Sequence, residues 1–201
     1  MNFLSIDGST DIGSLFLKFK SKAFVKTLQF DKSNNDLLMK KILEFFKEND
    51  LKFDDISHIF VNQGPGNFSG LRGSLSIAKG ISIAKNLNLF GYNAFIWPCV
   101  KFFNNYNSIL SIIKFRKKYF IKKFDKNLKS DLKIEEATAD EIVRKYNNKF
   151  KVISKNSVKD FDQKILKLDK LRIINLDHND LEFLKLKGLL DKSLIKPLYL
   201  N

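Results

Sequence analysis

Gly64-Pro65-Gly66-Asn67-Phe68-Ser69-Gly70-Leu71-Arg72 carries the sharpest local signal in the chain. Before it, residues 56–62 (Ile56 to Asn62) form an apolar run of strand length. After it, residues 68–86 repeat apolar side chains at helical spacing. A strand, a glycine-proline turn and a helix in that order predict an α/β unit. Backbone amides at such a helix start can hold an anion. A Walker A loop needs four residues between its glycines and then Lys-Ser/Thr. Here Ser69 stands where the second glycine belongs and no lysine follows, so the nucleotide-loop reading fails. A structural turn and an anion site remain as alternatives. The anion site would use Gly64, Gly66, Ser69 and Arg72, with Asp7 nearby at the end of the first strand.

Outward from this segment, residues 2–7 read as a buried strand, and 13–20 and 23–30 alternate apolar and polar side chains. These three runs predict a meander. Ser33-Asn34-Asn35-Asp36 has helix-start chemistry, and a helix is expected over 36–49. In the second half, 108–114 and 118–124 read as paired strands, and Phe150–Ile153 and Leu171–Leu176 as short strands. Helices are expected over Thr138–Tyr146, 158–168 and 180–187. The lobe boundary is expected near residue 103, giving lobes 1–103 and 104–201, with the terminal segment packing back on the first.

The 201 residues suffice for one large domain or two small lobes with a sizeable core. One cysteine, Cys99, excludes an internal disulfide and a four-cysteine zinc site. In its apolar setting it reads as a buried structural thiol. His58 and His178 lie far apart, and no metal site is expected. His58 is assigned a local hydrogen-bond role, and His178 a place in a polar helix start. Glu135-Glu136 and Asp140-Glu141 read as solvated helix-start charge. No apolar run approaches the ~18 residues that span a bilayer, and the first residues lack the pattern of a secretory signal, so the cytoplasm is expected.

Net charge is +14, and residues 101–201 carry 24 basic against 13 acidic side chains. The stretch 114–129 is the most basic, and Lys117, Lys118, Lys122 and Lys123 are its candidate polyanion contacts. Lysine outnumbers arginine 32 to 4, which disfavours bidentate sequence reading and is equally explained by codon bias toward A and T.

On helix 36–49, Leu38, Met39, Ile42, Leu43, Phe45 and Phe46 span about 160° at 100° per residue. One core needs an arc of only ~100° or a little more, so the helix meets either two surfaces or a sheet and a neighbouring helix. On helix 68–86, Ser69, Gly73, Ser76, Gly80 and Ala84 form one stripe of small residues, opposite Leu71, Leu75 and Ala78. Each interior glycine costs ~1 kcal/mol of helix propensity, a cost tolerated where another backbone approaches closely. Leu38, Ile42, Phe45, Ser69, Gly73, Ser76 and Gly80 are therefore the candidate partner interface.

Phe3-Leu4-Ser5-Ile6-Asp7-Gly8-Ser9-Thr10, the Gly64–Arg72 segment, Ala78-Lys79-Gly80, Leu89-Phe90-Gly91-Tyr92 and Ile195-Lys196-Pro197-Leu198-Tyr199-Leu200 together resemble the bacterial TsaB family. The match is specific over residues 1–92 and weak over 100–194. The resemblance implies the two-lobed actin-like ATPase (ribonuclease-H-like) fold, with mixed sheets flanked by helices. It implies a non-catalytic subunit of the tRNA threonylcarbamoyladenosine synthase. That subunit pairs through its first two helices with a TsaD-type transferase and works with a TsaE-type ATPase. With it, contact with tRNA through the complex is expected, with Lys117, Lys118, Lys122 and Lys123 as candidate contacts. No membrane partner is expected, and an uncovered apolar helix face is expected to close on a second copy, as a homodimer, when the chain is alone. No cofactor is expected, although a nucleotide at the partner interface is compatible with the family.

Active members of the fold clamp a nucleotide-bound metal between two lobes. Their second-lobe hairpin has an Asp-Ala-Arg-x-Gly-like segment. This chain reads Lys114-Phe115-Arg116-Lys117-Lys118, with lysine for both the aspartate and the glycine. A charged lysine does not ligate Mg²⁺. No catalytic residue is therefore assigned. The alternative is a small-molecule kinase or ATPase of the same fold, which Asp7 favours and Lys114 opposes.

Overall fold

The computed structural model describes residues 1–10, 12–29, 37–130, 133–193 and 195–200. The expected helix start at Ser33–Asp36 lies outside the described residues. The chain divides into two compact units, Met1–Ala94 with Leu190–Asn201, and Phe95–Leu189. The division falls at Ala94/Phe95 rather than near residue 103, because residues Trp97–Phe102 form a 3-10 turn that packs within the second unit.

In the first unit β1 (Phe3–Asp7) is the central strand. It pairs antiparallel with β2 (Ile12–Phe19), which pairs with β3 (Lys22–Gln29). On its other side it runs parallel to β4 (His58–Asn62), which runs parallel to β5 (Asn88–Tyr92). The order β3-β2-β1-β4-β5 contains the predicted meander. Leu4, Ile6, Leu15, Leu17, Ile59 and Val61 form one core with α1 (Leu38–Glu48) and α2 (Phe68–Lys85). The alternate residues Phe3, Phe16, Phe60 and Phe90 are buried too, with Phe3 edge-on to Phe60 at 4.9 Å. Burial on both faces explains why β1 and β4 read as continuous apolar runs. β5 was not foreseen. Its Asn88 and Gly91 weaken the strand pattern, and its pairing partner lies far away in the chain.

The second unit has the order β10-β9-β6-β7-β8. β6 (Ser108–Phe115) and β7 (Lys118–Asp125) form the predicted hairpin. β9 (Lys151–Ser154) and β10 (Leu171–Ile174) add in parallel. α3 (Ala139–Tyr146) and α5 (Asp180–Leu186) match their expected positions. The expected helix over 158–168 is instead a 3-10 turn, Lys155–Asp160, followed by α4 (Gln163–Leu166). The Asp162 side chain accepts from the Lys164 amide and starts the new helix. Glu135 and Glu136 lie in β8 (Glu135–Ala137), an edge strand, rather than in a helix start. Tyr146 donates its hydroxyl to Glu135 at 2.5 Å, and Lys145 donates to the same carboxylate at 3.0 Å. Burial and this carboxylate push the Tyr146 hydroxyl up to about 12.

Lys151 is buried in β9 and its ammonium donates to the carbonyls of Tyr146, Asn147 and Lys149 at 2.6–2.7 Å. It thereby satisfies carbonyls that the end of α3 leaves without helical partners. Burial holds its pKa down at about 8. Cys99 is buried, donates to the Phe95 carbonyl at 3.3 Å, and has its thiol pKa pushed up by desolvation.

Candidate functional site

The ends of β1 and β4 and the start of α2 meet in a polar knot. Asp7 Oδ1 accepts from the Ser9 amide (2.9 Å), the Ser9 hydroxyl (2.7 Å) and Asn62 Nδ2 (3.1 Å). Asn62 Oδ1, in the side chain, accepts from the Gly64 amide at 2.8 Å. The Asn67 amide donates to the Ser9 carbonyl at 2.6 Å. Asn67 Oδ1 takes the Ser69 amide at 3.1 Å and caps α2. The Gly64-Pro65 peptide bond is cis.

The glycines of this knot serve close backbone approach. A Cβ on Gly66 would lie 1.9 Å from the Ser9 carbonyl oxygen, and one on Gly70 would lie 2.2 Å from that of Gly8. The expected anion site is corrected on this point. The Gly64 and Ser69 amides are turned to internal acceptors, Gly66 is packed on Ser9, and Arg72 lies over the Phe68 ring at 4.6 Å. The arrangement is a packed turn that fixes where α2 begins.

The hairpin of the second unit carries two cations that are engaged within it or beside it. The Lys114 ammonium donates to the Asp160 carbonyl and lies 5.4 Å from the Tyr119 ring centre. Arg116, at φ 57° in the turn, lies 5.4 Å from the Phe115 ring. Among the described residues no group of three or more His, Cys, Asp or Glu side chains is placed to hold a metal ion.

The open surface of the first unit lies along α2. Ser69, Ser76, Gly80 and Ala84 are exposed and Gly73 is half-buried. A Cβ on Gly73 or Gly80 meets nothing within 4 Å. The opposite face, with Leu71, Leu75 and Ala78, is buried. Beside the stripe runs a groove of about 380 Å³ lined by Met39, Phe53, Ile77, Gly80, Ile81, Ala84 and Lys85. The α1 part of the expected interface is corrected. Leu38, Ile42 and Phe45 are at most 3% exposed and belong to the unit's own core. The broad apolar arc of α1 serves the sheet and α2, and only its rim is open, with Met39 half-buried and Leu43 exposed. Met39 and Leu43 share that arc in sequence, and only the packing of α1 distinguishes them as its outward residues.

The four candidate tRNA contacts do not form one patch. Lys117 lies in the hairpin turn. Strand alternation puts Lys118 and Lys122 on one face of β7 and Lys123 on the other. Lys118 is paired with Glu136 at 2.7 Å. His58 accepts or donates at Nδ1 with the Ser57 hydroxyl at 2.7 Å and stacks on Phe90.

A family model for TsaD, tRNA N6-adenosine threonylcarbamoyltransferase, matches residues 31–105. A tRNA threonylcarbamoyladenosine biosynthesis protein TsaB from Buchnera aphidicola subsp. Baizongia pistaciae (strain Bp) is 30% identical over 119 residues. That match covers 57% of this chain and 53% of the relative, so the chain spans about half the length of the curated relative it matches. Two solved Pseudomonas aeruginosa structures share the fold. YeaZ superposes with a TM-score of 0.70 at 14% identity, covering 99% of both chains. An uncharacterised protein with similarity to peptidase YEAZ superposes with a TM-score of 0.71 at 14% identity, covering 100% of this chain and 99% of that one. With two five-stranded mixed sheets flanked by helices, the chain has the fold of these two structures, and part of its sequence is similar to the TsaB relative and to the TsaD family model.

Proposed function

We propose that this chain is a non-catalytic scaffold subunit in tRNA threonylcarbamoyladenosine biosynthesis, pairing with a TsaD-type transferase through the open side of α2. The observation that carries the reading is the exposed Ser69-Gly73-Ser76-Gly80-Ala84 stripe, with free space above both interior glycines and an apolar groove alongside. A helix keeps two glycines at a cost of ~1 kcal/mol each where a second helix must come close. The names of the matching family model and relative supply the pathway. Leu38, Ile42 and Phe45 support α1 from beneath, while Met39, Leu43 and Ile77 meet the partner. In this reading the same surface closes on a second copy when no partner is present, a TsaE-type ATPase acts on the assembled pair, tRNA is met through the complex, and the setting is cytoplasmic.

The non-catalytic part of the proposal rests on Lys114, which occupies the place of a metal-binding carboxylate and is engaged with the Asp160 carbonyl. Light scattering of the chain alone and mixed with a TsaD-type protein from the same source tests the pairing. A stable mixed complex is expected, lost in Gly73→Leu and Gly80→Leu. No complex at micromolar concentration, or one indifferent to both substitutions, overturns it. ATP turnover by the isolated chain that disappears in Asp7→Ala would overturn the non-catalytic part.

A further inference from the structure

Beyond the small-residue stripe, α2 displays a column of rings and cations. Phe68 is 53% exposed and Tyr199 44% exposed. Their rings stack with centroids 5.1 Å apart and planes 27° apart. The Arg72 guanidinium lies 4.6 Å from the Phe68 ring centre. Tyr199 is held in this place by its own segment. Ile195 is anchored in the core, the Lys196 carbonyl accepts from Gln63 Nε2 at 3.0 Å, and the Leu198 amide donates to the Gln63 carbonyl at 2.7 Å. The column is thus built from two distant parts of the chain and tied to the end of β4.

The charges that α2 and the terminal segment bring beside it include Arg72, Lys79 and Lys196. α2 contains no Asp or Glu, and exposed Arg72 and Lys79 fall on the same side of the helix as Phe68. Exposed Lys196 comes from the terminal segment. Aromatic faces interleaved with cations match the chemistry of an unpaired nucleotide. The base stacks on a ring or a guanidinium, and the phosphate meets the cations. At 100° per residue, Phe68, Arg72 and Lys79 point about 100° round α2 from the middle of the stripe. A helix seated on the stripe therefore leaves the column open.

We infer that the Tyr199–Phe68–Arg72 column is a stacking site for an unpaired base of RNA, with Lys79 and Lys196 meeting the adjoining phosphates. The site is independent of partner pairing, so its test uses the isolated chain. The probe is a short oligoadenylate carrying one 2-aminopurine, at physiological salt, with a blunt RNA duplex as comparison. Binding quenches the 2-aminopurine. Phe68→Leu and Tyr199→Leu, which keep charge and apolar bulk, weaken single-strand binding by roughly 5- to 100-fold and remove the quench. Phe68→Tyr and Tyr199→Phe retain both, and duplex affinity stays unchanged throughout. Single-strand affinity unaffected by the leucine variants overturns the inference, as does an equal loss on duplex. Unchanged oligoadenylate binding with weakened pairing to the TsaD-type protein would make the column a protein contact and overturn it as well.

Discussion

His178 sits with its ring 4.8 Å from Trp97, edge to face, and is 8% exposed. The sequence placed it in a polar helix start, and Asp177 does accept from the Asn179 amide there. Burial of the imidazole depended on Trp97, far away in the chain, and no local pattern announces such a contact. Desolvation lowers its pKa from 6.5 to about 4, against a smaller opposing effect of Asp177. Above pH 6.5 the ring is neutral in both the folded and the unfolded chain. Between pH 6.5 and pH 4 only the unfolded chain takes the proton, so stability falls as the solution is acidified through this window. The loss amounts to about 3 kcal/mol at its limit. His178→Gln is expected to remove this part of the slope, measured as the difference in urea midpoint between the two proteins from pH 7 to pH 4. Equal slopes for both would show that the ring is protonated in the fold as readily as outside it.

At the level of elements, the glycines of the Gly64–Arg72 segment and those of the α2 stripe look alike in sequence and differ in space. Gly66 packs against the Ser9 carbonyl, whereas Gly73 and Gly80 face open volume. Gly66→Ala is expected to destabilise the chain by about 1–3 kcal/mol, since a backbone carbonyl cannot yield as a side chain can. Gly73→Ala and Gly80→Ala are expected to stabilise it by up to ~1 kcal/mol each through helix propensity. Thermal melts of the three variants decide the matter, and a loss at Gly73 comparable to that at Gly66 would contradict the open stripe. The meander, the β6–β7 hairpin, α2 and α3 were legible because alternation, helical spacing and the Thr138–Glu141 capping box are local signals. The break at Phe161-Asp162, the three-residue β8 and the inward turn of Leu38, Ile42 and Phe45 were not. Each is decided by what packs against it: the apolar arc of α1 showed its width, but not which part faced the sheet. The stripe on α2 was legible, while the column beside it was hidden because Tyr199 reaches Phe68 only through the fold.

For the whole molecule, a net charge of +14 guarantees attraction to any polyanion, and the location of the charge decides whether that attraction is local. Read along the chain, Lys117, Lys118, Lys122 and Lys123 form one basic run. In the sheet they divide, because successive residues of a strand point to opposite faces. Lys118 is already neutralised by Glu136, so a strand of RNA lying against one side meets Lys122, with Lys117 at the turn, and misses Lys123. Each contacted phosphate adds about 0.7 to the salt slope of single-strand binding. Replacing all four lysines by glutamine is therefore expected to reduce the slope of log affinity against log salt by about 1.4. A patch that touched RNA with all four side chains would lose about 2.8. Titrating oligoadenylate into both proteins over a range of salt separates these values. A drop near the larger one would mean that the RNA wraps the edge of the second unit's sheet instead of lying on one face.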